Sequence, residues 1–358
     1  MPGTQALRAV ERASPGKQGF RLEFKAHTIG AMNILVLGGG QFVGRYVVEA
    51  ALERGYTVST FSRGKTNPHL FPQAHKLIGD RRAGELGALE QGTWDAVIDV
   101  NGYFPREVRQ STSLLKGRVG RYLFVSTVSV YADPSRTDED GPMQQVENPE
   151  TEEMTPQVYG GLKAVCEDVV REAYGEQATV VRPHLVVGPH DHTGRFSYWP
   201  WRAAQGGEML FPAPPEDAMQ FIDARDLAAF VLHLLEQNTP GTYNGARPHF
   251  TLAELESALA QATGNAFEPV WVDADFLQQQ GVRPWADLPA WIPGDGVSRT
   301  PTERSQRAGL KYRSVLETVR DTLAWLKSLP EVKVAGISRE QEAELLEAWR
   351  VRRAIADS

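Results

Sequence analysis

Short apolar runs alternate with stretches of helical spacing along the first half of the chain. "NILVLG" (33–38) is continuous and apolar, as expected of a strand buried on both faces. "GRYVVEAALERG" follows, with Val47, Val48, Ala51 and Leu52 at helical spacing and Gly55 as terminator. "YTVSTFS", "HKLIGD", "WDAVIDV", "RYLFVSTVSVY" and "ATVVRPHLVVG" read as five further strands, with helices over 106–116 and 159–174 among the connections. Strands alternating with helices pair in parallel, so the fold class is α/β with a doubly wound sheet. Ligands in such a sheet bind outside the carboxyl ends of its strands, which directs attention to the residues just after each one.

The alternation fades after about residue 190. The stretch 191–219 is rich in Pro, Gly and aromatics, "RDLAAFVLHLLEQ" is helical, and "TLAELESALAQATG" is a helix with Thr251 as N-cap and Glu254 completing a capping box. "ISREQEAELLEAWRVRRA" forms a last amphipathic helix suited to packing or subunit contact. Residues 1–31 lack the alternation and read as a disordered extension.

The hydrophobic fraction of 41% and charged fraction of 23% are ordinary for a globular protein. A net charge of -7 speaks against nucleic acid or an anionic membrane as partner, since both reward clustered Lys and Arg. The single cysteine, Cys166, cannot form an intrachain disulfide and is expected buried and inert; a reducing, cytoplasmic setting follows. No run approaches the ~20 apolar residues of a membrane-spanning helix.

The first strand ends in "LGGGQFVG" (37–44). Gly38, Gly39 and Gly40 leave room for backbone N–H groups to approach a pyrophosphate at the following helix N-terminus, and Gly44 lets helix and strand pack closely. Gly38, Gly40, Gln41, Phe42, Val43 and Gly44 are therefore assigned to the cofactor. The second strand ends with Ser62 and Arg63 where an NAD enzyme usually carries an acid. A cation beside a small hydroxyl suits a 2′-phosphate, so NADP is preferred over NAD; a solvated surface charge is the bland reading of Arg63. Asp80 either accepts from the adenine amino group or closes a turn.

Tyr159 and Lys163 stand at i and i+4, which puts a phenol and an ammonium on one helix face. Positive charge near a phenol lowers its pKa toward a value useful for proton transfer. "FVSTVSVY" upstream offers a hydroxyl cluster to orient a carbonyl.

Together "GGGQFVG", "GD" (79–80), "FVSTVSVY", "YGGLK", "VRPHLVVGP" and "FIDARDLA" resemble the extended short-chain dehydrogenase/reductases, the NAD-dependent epimerase/dehydratase branch, over about 32–245 and more faintly to 327. The resemblance implies a Rossmann domain over 32–190, a mixed region over 191–330 that partly returns to that core and forms a small substrate domain, and a C-terminal helix over 331–358. It makes Tyr159 the proton-transfer residue, Lys163 the ligand of the nicotinamide ribose and Thr127 the hydroxyl that holds the reacting oxygen, with Ser126 and Ser129 as neighbours. Pro183 falls where the family passes close to the nicotinamide.

The sequence departs from the family at three places. Gln41 replaces the middle glycine of G-x-x-G-x-x-G, in a form similar to the "GGTRFIG" of a side branch that includes chloroplast RNA-binding relatives. Met219 and Leu185 occupy the positions of an arginine and an asparagine that hold a sugar nucleotide, and Arg195, Arg202 and Arg225 are the candidates to compensate. Val128 and Ser129 replace the Asp-Glu pair that dehydration needs. His184, His190, Asp191 and His192 are read as substrate-edge or solvated groups, with no metal required. Tyr198, Trp199 and Trp201 form either an aromatic wall or small-domain core.

These features imply an NAD(P)-dependent oxidoreductase acting on a small carbonyl or hydroxyl substrate, sugar-like or otherwise. A nucleotide-sugar epimerase with tightly bound cofactor and a non-catalytic cofactor-binding regulator are the alternatives. Helix-pair homodimers are common in the family, so a homodimer is the oligomer the resemblance allows.

Overall fold

The computed structural model describes residues 31–293 and 297–356. The expected N-terminal extension therefore lies, but for Ala31, outside the described residues. Seven parallel strands form the main sheet: β1 (Asn33–Leu37), β2 (Thr57–Ser62), β3 (His75–Ile78), β4 (Trp94–Asp99), β5 (Val119–Val125), β6 (Ala178–Pro183) and β7 (Gly241–Gly245). Their order is β7-β6-β5-β4-β1-β2-β3. The strand order reverses between β1 and β4, so the connections leaving these two strands diverge and open a cleft at their carboxyl ends.

Four helices cover the sheet. On one face α1 (Phe42–Glu53) and the helix Ala224–Glu236 bury Tyr46, Val47, Val48, Leu227, Val231 and Leu235 in one core. On the other, α2 (Pro105–Leu115) and α3 (Pro156–Tyr174) contribute Val108, Leu115, Cys166, Val169 and Val170 to a second. The inner strands are buried on both faces, which accounts for their unbroken apolar runs.

Two predicted strands end early. β5 stops at Val125, and "STVSVY" turns through a short 3-10 segment, Val128–Val130, capped by the Thr127 hydroxyl accepting from Ser129 N–H at 3.1 Å. β6 stops at Pro183, which has no N–H to continue a ladder. Val186–Val187 pairs instead with Ile222–Asp223. β7, "GTYNG", carries no apolar run and was not expected. It is an edge strand paired to β6 alone, so only part of it needs burial.

The later residues build a third core around Phe196, Tyr198, Trp199, Phe211, Phe221 and Phe250. Trp199 is fully buried and its indole donates to the Pro289 carbonyl at 2.6 Å, which makes Tyr198 and Trp199 core rather than wall. The expected capping box, Thr251 with Glu254, is present. The last helix, Arg339–Ala356, docks on this core. Buried Glu342 accepts from Arg202 Nε at 2.6 Å and from the Leu210 N–H at 2.9 Å. No described helix is long and apolar enough to cross a membrane.

Candidate active site

A cleft of about 550 Å³ opens at the carboxyl ends of β1, β2, β3 and β4. Its lining includes Gly38, Gly40, Gln41, Phe42, Val43, Gly44, Ser62, Arg63 and Asp80, nine of the ten residues assigned to a cofactor from sequence. Pro183 ends β6 beside Gly245 and is not among the lining residues.

The glycine-rich turn is a cradle that side chains would fill. Gly38 has φ +116°, and a Cβ there would lie 2.6 Å from Val100 Cγ2. A Cβ on Gly44 would lie 2.5 Å from the Gly39 nitrogen, so the helix meets the turn only because residue 44 is glycine. Gln41, by contrast, has φ −151° and ψ 143°, extended backbone open to any residue, and its side chain is exposed. The left-handed geometry falls instead on Phe42, at φ +39°. A buried aromatic held there is a strained position of the kind functional loops retain. The Gln41 departure therefore leaves the cradle intact. Arg45 N–H already bonds the Gln41 carbonyl at 3.3 Å, while the N–H groups of the first turn of α1 face the cleft region without intrahelical acceptors.

At the end of β2 the Ser62 hydroxyl accepts from the Gly64 N–H at 3.2 Å. Arg63 and Lys65 line the cleft, exposed and without acidic partners among the described residues. Lys65 was not singled out from sequence. Asp80 Oδ1 accepts from the Arg82 N–H at 3.0 Å, which is the turn-closing arrangement. Beside it Arg81 donates to both oxygens of fully buried Asp99, at 2.7 and 2.9 Å, and the Tyr122 hydroxyl adds a third bond at 2.8 Å. Burial raises the Asp99 carboxyl, but Arg81, the Tyr122 hydroxyl and the Asn101 N–H together outweigh it and hold the group below the ordinary range.

The hydroxyl groups meet at the other end. Thr127 lies beside Tyr159 and acts to lower its phenol, and its Oγ1 donates to Ser129 Oγ at 3.1 Å. Tyr103, in the turn after β4, lines the cleft and acts electrostatically on Tyr159. It joins the cleft to the Thr127–Tyr159 pair, neither of which is among the lining residues. No motif marked Tyr103; only the packing of the β4 and β5 ends brings it there.

Lys163 differs from expectation. It is 3% exposed, and Nζ donates to the carbonyls of Gly102 and Val125 at 2.8 Å each, lying 4.1 Å from the Phe124 ring centroid. Burial lowers its pKa to about 8. The charge does not figure among those acting on Tyr159. Burial raises the Tyr159 phenol, Tyr103 adds to the rise, and the neighbouring Thr127 hydroxyl and the charge of Arg195 oppose it. The expected depression by Lys163 is thus absent, because the ammonium is turned to backbone carbonyls.

Of the compensating arginines, Arg202 is bound to Glu342 and Arg225 to Asp223 and Asp321. Arg195 alone acts on Tyr159 and Tyr103. Met219 and Leu185 are buried apolar residues of the third core. The histidines do not converge: His190 Nδ1 lies 3.3 Å from Arg45 Nη1, His192 lines the cleft edge-on to Phe42, and Asp191 Oδ1 is engaged by Thr193. No group of three or more His, Cys, Asp or Glu among the described residues is placed to hold a metal. Cys166 is buried and its thiol is pushed up to about 12.

Comparison with known proteins bears on this geometry. Residues 96–246 match the NAD dependent epimerase/dehydratase family. The match spans the sheet from β4 to β7 with α2 and α3. The fold is that of the similar solved structures. Similar solved structures include WbmH of Bordetella bronchiseptica in complex with NAD+ (TM-score 0.62, 19% identity, 84% of this chain and 100% of that one). A UDP-glucose 4-epimerase aligns with TM-score 0.63 at 15% identity over 86% of this chain and 100% of its own. The dTDP-glucose 4,6-dehydratase of Bacillus anthracis, in complex with NAD, aligns with TM-score 0.60 at 15% identity over 88% of this chain and 100% of its own. Among curated proteins, the chloroplast stem-loop binding protein of 41 kDa b of Arabidopsis thaliana is 23% identical over 249 residues, 64% of this chain. The chain spans only 63% of the length of that relative.

Proposed function

We propose that the protein is an NADP-preferring oxidoreductase that reduces a small carbonyl compound, with Tyr159 as proton donor. The observation that carries this is the neighbourhood of Thr127, Tyr159 and Tyr103, the last lining one end of a glycine-cradled cleft. The dinucleotide supplies or accepts the hydride. Tyr159, raised by burial, stays protonated at neutral pH, the form that delivers a proton to a developing alkoxide. Thr127 holds the substrate oxygen against the phenol. Lys163, placed between the Gly102 and Val125 carbonyls, is the residue that would hold the ribose hydroxyls of a bound cofactor. Consumption of NADPH on adding carbonyl compounds tests the reading.

Two further outcomes follow. Reversing the charge of Arg63 and Lys65 together to Glu removes charge-assisted partners of the 2′-phosphate. NADPH affinity should fall roughly tenfold or more, with NADH affinity little changed; parallel titrations of the two nucleotides report it. Lys163 loses its proton as pH rises through about 8. Cofactor affinity that uses the ammonium should therefore weaken above that pH in the parent protein and be flat in Lys163→Met.

One observation favours a second reading, a nucleotide-sugar epimerase. Arg247 lies 4.8 Å over Phe250, which pairs with Met219, and its Nε and Nη1 are buried without hydrogen-bond partners. A guanidinium next to the position of the missing family arginine would suit a sugar-nucleotide diphosphate. Cofactor that stays bound through purification and is not consumed in turnover would favour this reading.

A further inference from the structure

Arg195 is tethered on two sides but not neutralised. The loop that carries it lies beyond β6 and is fixed against α1: the Tyr46 hydroxyl donates to the Pro189 carbonyl at 3.1 Å, and His192 lines the cleft edge-on to Phe42. Within this loop buried Asp191 accepts at Oδ1 from the Thr193 N–H at 2.9 Å and from the Thr193 hydroxyl at 2.6 Å. The same Thr193 oxygen accepts from Arg195 Nε at 3.1 Å. On its other side the guanidinium lies 5.8 Å from the ring centroid of Trp285, which packs on the edge of the third core. Trp285 is held in left-handed backbone, φ +66°, with its N–H donating to the Trp291 carbonyl at 2.9 Å. Among the described residues Arg195 forms no ion pair, and its two Nη groups have no hydrogen-bond acceptor.

A surface arginine ordinarily keeps its rotamer freedom and its water. Here the Nε bond and the Trp285 face remove much of that freedom in advance, which leaves the Nη fork as the edge presented to a ligand. The charge bears on both phenols of the site, Tyr103 and Tyr159, which sets the guanidinium beside that pair. The other cations considered for this end of the molecule are engaged: Lys163 by two backbone carbonyls, Arg202 by Glu342, Arg225 by Asp223 and Asp321. A lone fork matches a monoanion with two coplanar oxygens, whereas a phosphate ester, with roughly −1.5 to −2 charge at neutral pH, calls for a second cation. We propose that the carbonyl compound reduced at Tyr159 carries a carboxylate, and that Arg195 holds it through its two Nη groups. The proposal rests on the carbonyl-reductase reading and gives it a substrate class, the oxo acids.

The test is calorimetric binding of 2-oxobutanoate and 4-oxopentanoate, each beside its neutral amide, to the full chain loaded with NADP. The two acids differ in the spacing between carbonyl and carboxylate. At least one acid should bind about tenfold or more tightly than its amide, since only the acid forms the charge-assisted pair. Arg195→Gln should bring acid and amide together while NADP affinity stays close to the parent's, because Arg195 is not among the residues lining the cleft. Arg195→Lys keeps the charge without the fork and should retain part of the preference. Equal affinities for acid and amide in the parent protein, no binding by either acid, or a preference that survives in Arg195→Gln would each overturn the proposal. NADPH oxidation with the same compounds tests the reading beneath it separately. An acid that binds through Arg195 without being reduced would refute the carbonyl-reductase reading and leave the carboxylate site standing.

Discussion

Tyr159→Phe is expected to lose turnover by roughly 10²- to 10⁴-fold, the range that a positioned general acid contributes. The substitution removes one oxygen and keeps the ring, so the packing of α3 on the sheet should be retained. NADPH affinity should therefore stay close to that of the parent, since the phenol lies outside the residues that line the dinucleotide cleft. Single-turnover NADPH oxidation and equilibrium titration measure the two quantities separately. An equal loss in both would assign Tyr159 a structural place rather than proton transfer. The raised phenol gives the same experiment a pH dimension. With saturating NADPH, turnover in the reductive direction should persist well above neutrality and fall only where the phenol ionises, above its ordinary range.

The largest effect on stability is expected at Arg182. Its guanidinium donates to Glu167 through Nε at 3.0 Å and through Nη2 at 2.7 Å, and through Nη1 to the Tyr131 hydroxyl and the Glu139 carbonyl at 3.1 Å each. Tyr131 passes the chain on to Asn244 at 2.6 Å, so α3, β6, β7 and the turn after β5 are tied through one buried cation. Arg182 is 2% exposed and Glu167 fully buried. Arg182→Met leaves that carboxylate with only the partly exposed Arg171, at a cost of about 3–5 kcal/mol. Denaturant midpoints measure it, and adding Glu167→Leu should recover part of the loss because the uncompensated charge is then gone. Burial raises Glu167, but its neighbours, Arg182 foremost and Arg171 with it, outweigh burial and hold the carboxyl below the ordinary range. A depressed carboxyl stabilises the fold above its unfolded pKa and loses that contribution as pH falls through the folded value. Acid sensitivity should accordingly be reduced in the double variant.

Much of the sheet was legible in the chain because buried parallel strands are written as unbroken apolar runs. β1 to β4 and the two helices α2 and α3 fall within a few residues of their expected places, while β5 and β6 end five or six residues early. β7 escaped because an edge strand needs no such run, and "GTYNG" reads locally as a turn. The glycine turn was legible by composition, whereas the tolerance of Gln41 was not. It depends on which residue takes the left-handed backbone, and that residue is Phe42. Tyr159 and Thr127 carried motif spacing. Tyr103 carried none, and reaches the cleft only because the turn after β4 folds against the ends of β1 and β3. Lys163 shows the converse limit. Its i to i+4 spacing from Tyr159 is correct, yet two backbone carbonyls decide where the ammonium points.

The most direct measurement is a fluorescence titration of the purified chain with NADPH and with NADH. Saturable binding of NADPH, with NADH weaker, is the result the account expects of a cleft that carries Arg63 and Lys65. Absence of binding by either nucleotide, in reduced or oxidised form, would contradict the account at its base.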